Sequence, residues 1–389
     1  MQIRRALVLV LDGCGAGPAP DADLFGDVGE NSGDTLVHVA RAVGGLSIPT
    51  LRSLGLGNCL DLAGGRPVDN PRGSYGRLRE RSLGGKDTVT GHWEMMGIVT
   101  PKPFPTYPNG FPPEVVEPFC TAIGCPVLGN RAASGTTIIA ELGQEHQRTG
   151  HPILYTSADS VFQIAAHESV VPIERLYEMC RIARRLLTGD HAIQRVIARP
   201  FEGSPGSYRR TERRKDFPLS PPENVIDRLA AAGKRVAGIG VVPEVFDGRG
   251  FAWSERTQTN QEHYEATLRA LQRDDLDFLF VNFEDFDMLY GHRNDATGFA
   301  AALETFDGHL AHILGQLRSD DLLIVTADHG NDPTTPSTDH SREYAPLLLY
   351  GPGIAGGRDY GDRDSYADIG ATLAEVFGVA PPEGARSLL

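Results

Sequence analysis

The chain has 389 residues, of which 40% are apolar and 23% charged, with a formal net charge of −14. That length exceeds what one hydrophobic core usually fills, so one large domain with a second unit is expected. The acidic balance argues against a nucleic-acid or anionic-membrane partner, and no run approaches the 18 apolar residues of a membrane span.

The first element, RALVLVLD, reads as a strand over residues 5–11 rather than the apolar segment of a signal peptide, which leads to the expectation of a cytoplasmic protein. It ends at Asp12 and runs into a glycine-rich turn. That turn lacks the Gly-Lys-Ser/Thr ending of a P-loop and matches no complete dinucleotide fingerprint. The polar segment GGKDTVTGHWE (84–94) follows, with Lys86, Asp87, Thr88, Thr90 and His92. Two Pro/Gly-rich passages, 100–114 and 216–225, then bracket a stretch with its own helices and strands: PEVVEPFCTAIG, PILYTS, PIERLYEMCRIARRLLT and RVIARPF. Its length suits an independent inserted domain. Beyond it, strands are expected over 234–242, 276–283, 321–327 and 345–350, with helices over 260–273 and 296–317, the latter loosened at Gly308. The segment SYADIGATLAEVFG closes as a helix ending on glycine. This alternation is the pattern of an α/β domain with a largely parallel sheet. Residues 1–100 and 219–389 would form a discontinuous core, and 101–218 an inserted α+β cap.

Three apolar runs end in carboxylates, at Asp12, at Asp285 and Asp287 with His292, and at Asp328 with His329, and His340 follows eleven residues later. Ligands at the same end of neighbouring strands converge in space. Mixed imidazole and carboxylate donors suit Mn²⁺, Zn²⁺ or Fe²⁺. Asp12, Asp287, His292, Asp328, His329 and His340 are too many for one closed tetrahedral ion, so two metals about 4 Å apart are expected, as in phosphoryl-transfer sites. A threonine of the 84–94 segment would supply a covalent partner once metal stabilises its alkoxide, or would simply cap a helix. The five cysteines (Cys14, Cys59, Cys120, Cys125, Cys180) show no metal-type pairing and read as reduced thiols.

Several motifs together resemble those of bacterial phosphopentomutases, in the alkaline phosphatase superfamily. They are Asp12 with GxGxAPDA, GKDTVTGHWEMMG, GNRAASGTTIIAELGQEH, YTSADSVFQIAAHE, RVIARPFEGSPG, DFDMLYGHRND and TADHGNDPTTPSTDHSREYAPLL, spread from residue 7 to about 376. The resemblance implies an alkaline-phosphatase-like core with an inserted cap. It implies Thr88 as the phosphorylated nucleophile, and two Mn²⁺ ions, replaceable by Mg²⁺, Zn²⁺ or Co²⁺. Asp12, Asp328 and His329 would hold one ion, and Asp287, His292 and His340 the other. Ser157, Asp159, Arg195 and Arg210 would contact substrate. The implied reaction interconverts ribose or 2-deoxyribose 1-phosphate and 5-phosphate through a 1,5-bisphosphate, with a sugar bisphosphate as a further small-molecule partner and a monomeric enzyme. A paralogue acting on another sugar phosphate, or a metal-dependent phosphohydrolase, is the alternative. Two departures stand out: Val241 occupies a position where the family usually has lysine, and Cys14 follows the first ligand in place of an aliphatic residue.

Overall fold

The computed structural model describes residues 3–157 and 160–389. Numbered along the chain, the strands are β1 (Arg5–Leu11), β2 (Ser74–Leu78), β3 (Leu128–Ala132), β4 (Ile153–Thr156), β5 (Val161–His167), β6 (Arg195–Glu202), β7 (Arg209–Arg210) and β8 (Lys215–Pro218). They continue with β9 (Val236–Ile239), β10 (Phe251–Glu255), β11 (Phe278–Phe283), β12 (Asp321–Thr326), β13 (Ala345–Tyr350) and β14 (Asp359–Arg363). The chain divides into two compact units, one made of everything up to Lys102 together with Pro221–Leu389, the other of Pro103–Ser220.

The first unit is built on one sheet in the order β10-β9-β11-β1-β12-β13-β2-β14. Pairing is parallel from β10 through β12, and only β13 runs against the rest. Strand β1 is buried at every position, as is β11. An unbroken apolar run is what a parallel strand covered on both faces requires. The three edge-side strands β2, β10 and β14 were not anticipated. SYGRL and DYGDR carry Gly and charge that weaken a strand reading, and FAWSE is a short, half-exposed edge strand despite its Phe and Trp. The strand expected over 234–242 is only Val236–Ile239, because Gly240 adopts a left-handed conformation (φ 74°) that ends the ladder. The helix Ala296–Gln316 is continuous through Gly308, where loosening was expected. No helix among the described residues is long and apolar enough to cross a membrane.

The second unit carries a mixed sheet, β3-β4-β5-β6-β7, with β8 also paired to β6. One face buries Leu154, Phe162, Ile164 and Val196 against helices Pro113–Ile123 and Ile173–Leu186. The other packs Ile153, Tyr155, Ala165 and Phe201 with Ile138 and Ile139 of helix Gly135–Thr149. Adjacent residues point to opposite faces, so the two sets alternate along each strand.

Candidate metal centre and nucleophile

The carboxylates converge because their strands are neighbours. Strand β1 lies between β11 and β12, with Leu11 beside Phe283 and Val10 beside Thr326, so the segments leaving all three emerge side by side. Asp12, Asp328 and His329 form one tight group of donor atoms, and Asp287, His329 and His340 form another. His329 Nε2 stands 3.3 Å from Asp12 Oδ1 and 3.6 Å from Asp328 Oδ2. His340 Nε2 lies 3.3 Å from Asp287 Oδ1, and the rings of His329 and His340 are 4.1 Å apart. His292 stands at the margin of the second group, with Nε2 3.2 Å from Asp287 Oδ2. A π-helical turn, Phe286–Tyr290, presents Asp287, and the following 3₁₀ turn presents His292. Irregular helical turns of this kind are frequent at functional sites. Asp285 does not join them: it accepts a hydrogen bond from the backbone of Asn260 at 2.9 Å and holds the start of a neighbouring helix.

The electrostatics are those of a cation site. Burial, reinforced by Asp328, pushes Asp12 up to about 6. Asp287 is held well below the usual carboxylate range despite its burial, by His292 and His340. Asp287 in turn pushes His292 up to about 9. The Asp12 Oδ1, Asp328 Oδ2 and His340 Nε2 atoms are buried without a hydrogen-bond partner. Unpaired buried carboxylate oxygens are costly, and a divalent ion on a mixed N/O donor set removes that cost. The donor set therefore fits metal.

The polar segment 84–94, where a helix-capping threonine was one reading, forms a helix, Thr88–Met95, whose cap separates its two threonines. Asp87 accepts from Val89 N at 2.9 Å and Thr90 N at 3.2 Å, and the Thr90 hydroxyl closes the capping box with the Asp87 backbone. Thr90 is buried and spoken for. Thr88 Oγ1 instead lies 3.3 Å from Nε2 of His329, the residue common to both ligand groups. It sits at the positive end of the helix, where a phosphoryl group is favoured.

Asn282 and Asn331 gave no sequence signal of their own, and His92 was noted only as part of the 84–94 segment. Asn282 donates to Asp12 Oδ2 at 2.7 Å, and Asn331 donates to Asp287 Oδ1 at 2.6 Å. His92 stands 3.3 Å from Asp328 Oδ2 while its Nδ1 lies 2.8 Å from the Thr88 carbonyl. Such outer groups orient ligands and are recognised only once the ligands are placed. Arg342, fully buried, reaches Asp21 at 2.9 Å and the Glu80 carboxylate and carbonyl, fixing the segment that leads to Thr88.

Of the residues expected to contact substrate, Ser157 follows β4 and Arg195 opens β6 at the same end of the second sheet, since Val161 pairs with Arg195. Arg195 Nη1 is 4.0 Å from Asp216. Arg210 pairs with Phe201 at the far end of β6, roughly 20 Å along the strand from Arg195. Asp159 lies outside the described residues. Val241 donates its backbone N–H to Glu284 at 2.6 Å.

Fold and site together define a metalloenzyme, and a model described as the metalloenzyme superfamily matches residues 242–381. The chain is 53% identical over 383 residues to a phosphopentomutase of Carboxydothermus hydrogenoformans, covering 98% of each. It is 54% identical to one of Anaeromyxobacter sp. (strain K), covering 99% of this chain and 98% of that one. Among solved structures, a Pyrococcus horikoshii protein aligns over 99% of this chain and all of its own at 18% identity and TM-score 0.50, a likeness of fold alone. The chain belongs to the phosphopentomutase family and is therefore an isomerase, an intramolecular phosphotransferase.

Proposed function

We propose that the chain moves phosphate between the 1- and 5-positions of ribose or 2-deoxyribose by way of phospho-Thr88 and an enzyme-bound 1,5-bisphosphate. The observation that supports this most is the distance of 3.3 Å from Thr88 Oγ1 to His329, the residue common to the two ligand groups. Asp12, Asp328 and His329 would hold one divalent cation and Asp287, His292 and His340 a second, Mn²⁺ being preferred over Mg²⁺, Zn²⁺ or Co²⁺. When bound, such ions neutralise phosphoryl charge and lower the threonine pKa. The chain's residues do the rest. Phospho-Thr88 passes its phosphoryl group to the free hydroxyl of the incoming monophosphate: the P–Oγ bond breaks as the new P–O bond forms, and the proton lost by that hydroxyl is balanced by the one Thr88 Oγ regains as it leaves. The bisphosphate then returns its other phosphate to Thr88, leaving the isomer. Asp87 is occupied in capping and keeps Thr88 at the first turn. Asn282 and Asn331 hold Asp12 and Asp287 in orientation.

The inserted unit is assigned the sugar- and phosphate-contacting groups Ser157, Asp159, Arg195 and Arg210, the guanidinium fork being suited to phosphate. The site has to be dry, because water attacking phospho-Thr88 would release free phosphate. With ribose 1-phosphate as substrate, the expected result is ribose 5-phosphate without accumulating inorganic phosphate. Stoichiometric phosphate release would make the protein a metal-dependent phosphohydrolase instead. Because Val241 supplies no cation, a panel of ribose, deoxyribose and hexose 1-phosphates compared between wild type and Val241→Lys would define the preferred sugar.

A further inference from the structure

The stretch that carries Thr88 leaves and rejoins the first unit at one hydrogen-bonded knot. Leu83 N donates to the Thr100 carbonyl at 2.7 Å, Thr100 N to the Ser82 hydroxyl at 3.2 Å, and Gly84 N to the Thr100 hydroxyl at 3.1 Å. Residues 82–100 are thus an excursion closed at its root, with helix Thr88–Met95 inside it. Glu94, in the last turn of that helix and 0% exposed, projects into the same knot. Its carboxylate accepts from Ser82 N and Oγ, each at 2.6 Å, and from Arg81 N at 2.9 Å. It also accepts from Ser365 Oγ at 2.7 Å and Tyr366 N at 3.2 Å, which lead into helix Ala367–Phe377.

For stability alone this is a poor place for a charge. Every one of these donors is neutral, and among the described residues no lysine, arginine or histidine side chain pairs with Glu94. A negative charge in a last turn opposes the helix dipole, and a buried ion without a counter-ion is costly. The neighbourhood feels it: burial pushes the Glu80 carboxyl well up, Arg342 opposes this, and Glu94 adds to it. What the carboxylate gains is direction, because hydrogen bonds to an ionised acceptor are strong and hold their geometry. They tie the last turn of the helix to two separate segments. Nearer Thr88, the same helix meets the ligand-bearing Asp328 through Gly91 and through His92, 3.3 Å from Asp328 Oδ2. Held at both places, the helix can neither slide nor turn, and the 3.3 Å between Thr88 Oγ1 and His329 is set with it.

We infer that Glu94 is a positioning residue for phosphoryl transfer, its carboxylate fixing Thr88 against the ligand groups by locking the last turn of the helix to Ser82 and Ser365. This rests on the Thr88 reading and deepens it. Glu94 touches no reacting atom and acts only through the helix.

The test uses full-length, metal-loaded protein and measures steady-state kinetics on ribose 1-phosphate, metal content, melting temperature and the rate at which phosphate appears on Thr88 during priming with a sugar bisphosphate. Glu94→Gln keeps one acceptor oxygen but turns an NH₂ group toward N–H donors. Its kcat is expected to fall about tenfold or more, with KM within about twofold and metal content unchanged. Phosphate should reach its Thr88 more slowly by the same factor. Leu373→Ala, in the core of helix Ala367–Phe377, is the stability control: it should lower the melting temperature and keep kcat. If Glu94→Gln does not fold, Ser365→Ala decides, with kcat expected to fall about threefold at unchanged KM. Wild-type kcat in the folded variant would overturn the proposal. So would a loss of kcat matched by loss of metal, or one that Leu373→Ala reproduces. Failure of the Thr88 reading has a different signature, a wild-type enzyme that turns over with no phosphate on Thr88.

Discussion

At the scale of single residues, the two threonines of one short helix have separate duties. Thr88→Ala is expected to abolish phosphoryl transfer while metal content, read by elemental analysis, stays near two ions per chain. Thr90→Ala should leave partial activity and lower stability by about 1 kcal/mol through loss of half a capping box. The reverse pattern would move the nucleophile to Thr90. A second residue-scale prediction concerns Glu284, whose pKa burial and the nearby Asp12 push up to about 8. A raised carboxyl pKa means that the folded protein binds the proton more tightly than the unfolded chain. That stabilisation is complete below the unfolded value near 4.5 and is lost as pH rises through about 8. Glu284→Gln retains an oxygen for the Val241 amide and removes the titration. In metal-free protein, its stability relative to wild type should therefore climb between pH 5 and 8, by on the order of 1.4 kcal/mol per pH unit at most. Parallel urea-denaturation midpoints across that range would contradict it.

Among the elements, the helix Thr88–Met95 is set against a strand end rather than merely near it. A β-carbon on Gly91 would fall 2.3 Å from the Asp328 carbonyl oxygen, so the helix rests on the segment that carries two ligands. Gly91→Ala has to push the two apart. The expected cost is about 1–3 kcal/mol of stability, together with a fall in kcat of at least tenfold, checked by thermal denaturation and steady-state kinetics. Normal kcat would mean that the position of this helix is not critical. The same helix marks where sequence reading stops. Strands β1, β11 and β12 were legible because burial on both faces demands unbroken apolar runs, and the carboxylates that follow them were legible with them. Strands β2 and β14 were not, because their hydrogen bonds come from segments distant in sequence and they carry Gly and charge; the short edge strand β10, beside its near neighbour β9, was also missed. Asn282 and Asn331 were hidden for a similar reason: their meaning lies in which carboxylate each one holds.

For the whole molecule, a chain of net charge −14 buries Asp12, Asp287 and Asp328 within one small volume, and cations held by the proposed ligands would offset that repulsion. Chelation should therefore lower the melting temperature, and Mn²⁺ should restore it, each site contributing about 2.7 kcal/mol at ~100 times its Kd. A melting temperature indifferent to chelator would contradict a metal bound at these residues. The chain leaves the first unit after Lys102 and returns at Pro221, so the proposed nucleophile and its ligands belong to the first unit and Arg195 and Arg210 to the second. Paired Pro/Gly-rich passages led to the expectation of two units, whereas the neighbours of Tyr155 in the second sheet depend on register and have no signature in the sequence. The central claim is that phosphate passes through Thr88. Its most direct measurement is peptide mass spectrometry of enzyme quenched during turnover of ribose 1-phosphate after priming with a sugar bisphosphate. The account predicts phosphate on Thr88 and its disappearance in Thr88→Ala; an active enzyme whose Thr88 is never phosphorylated, or whose phosphate sits on Thr90, would contradict it.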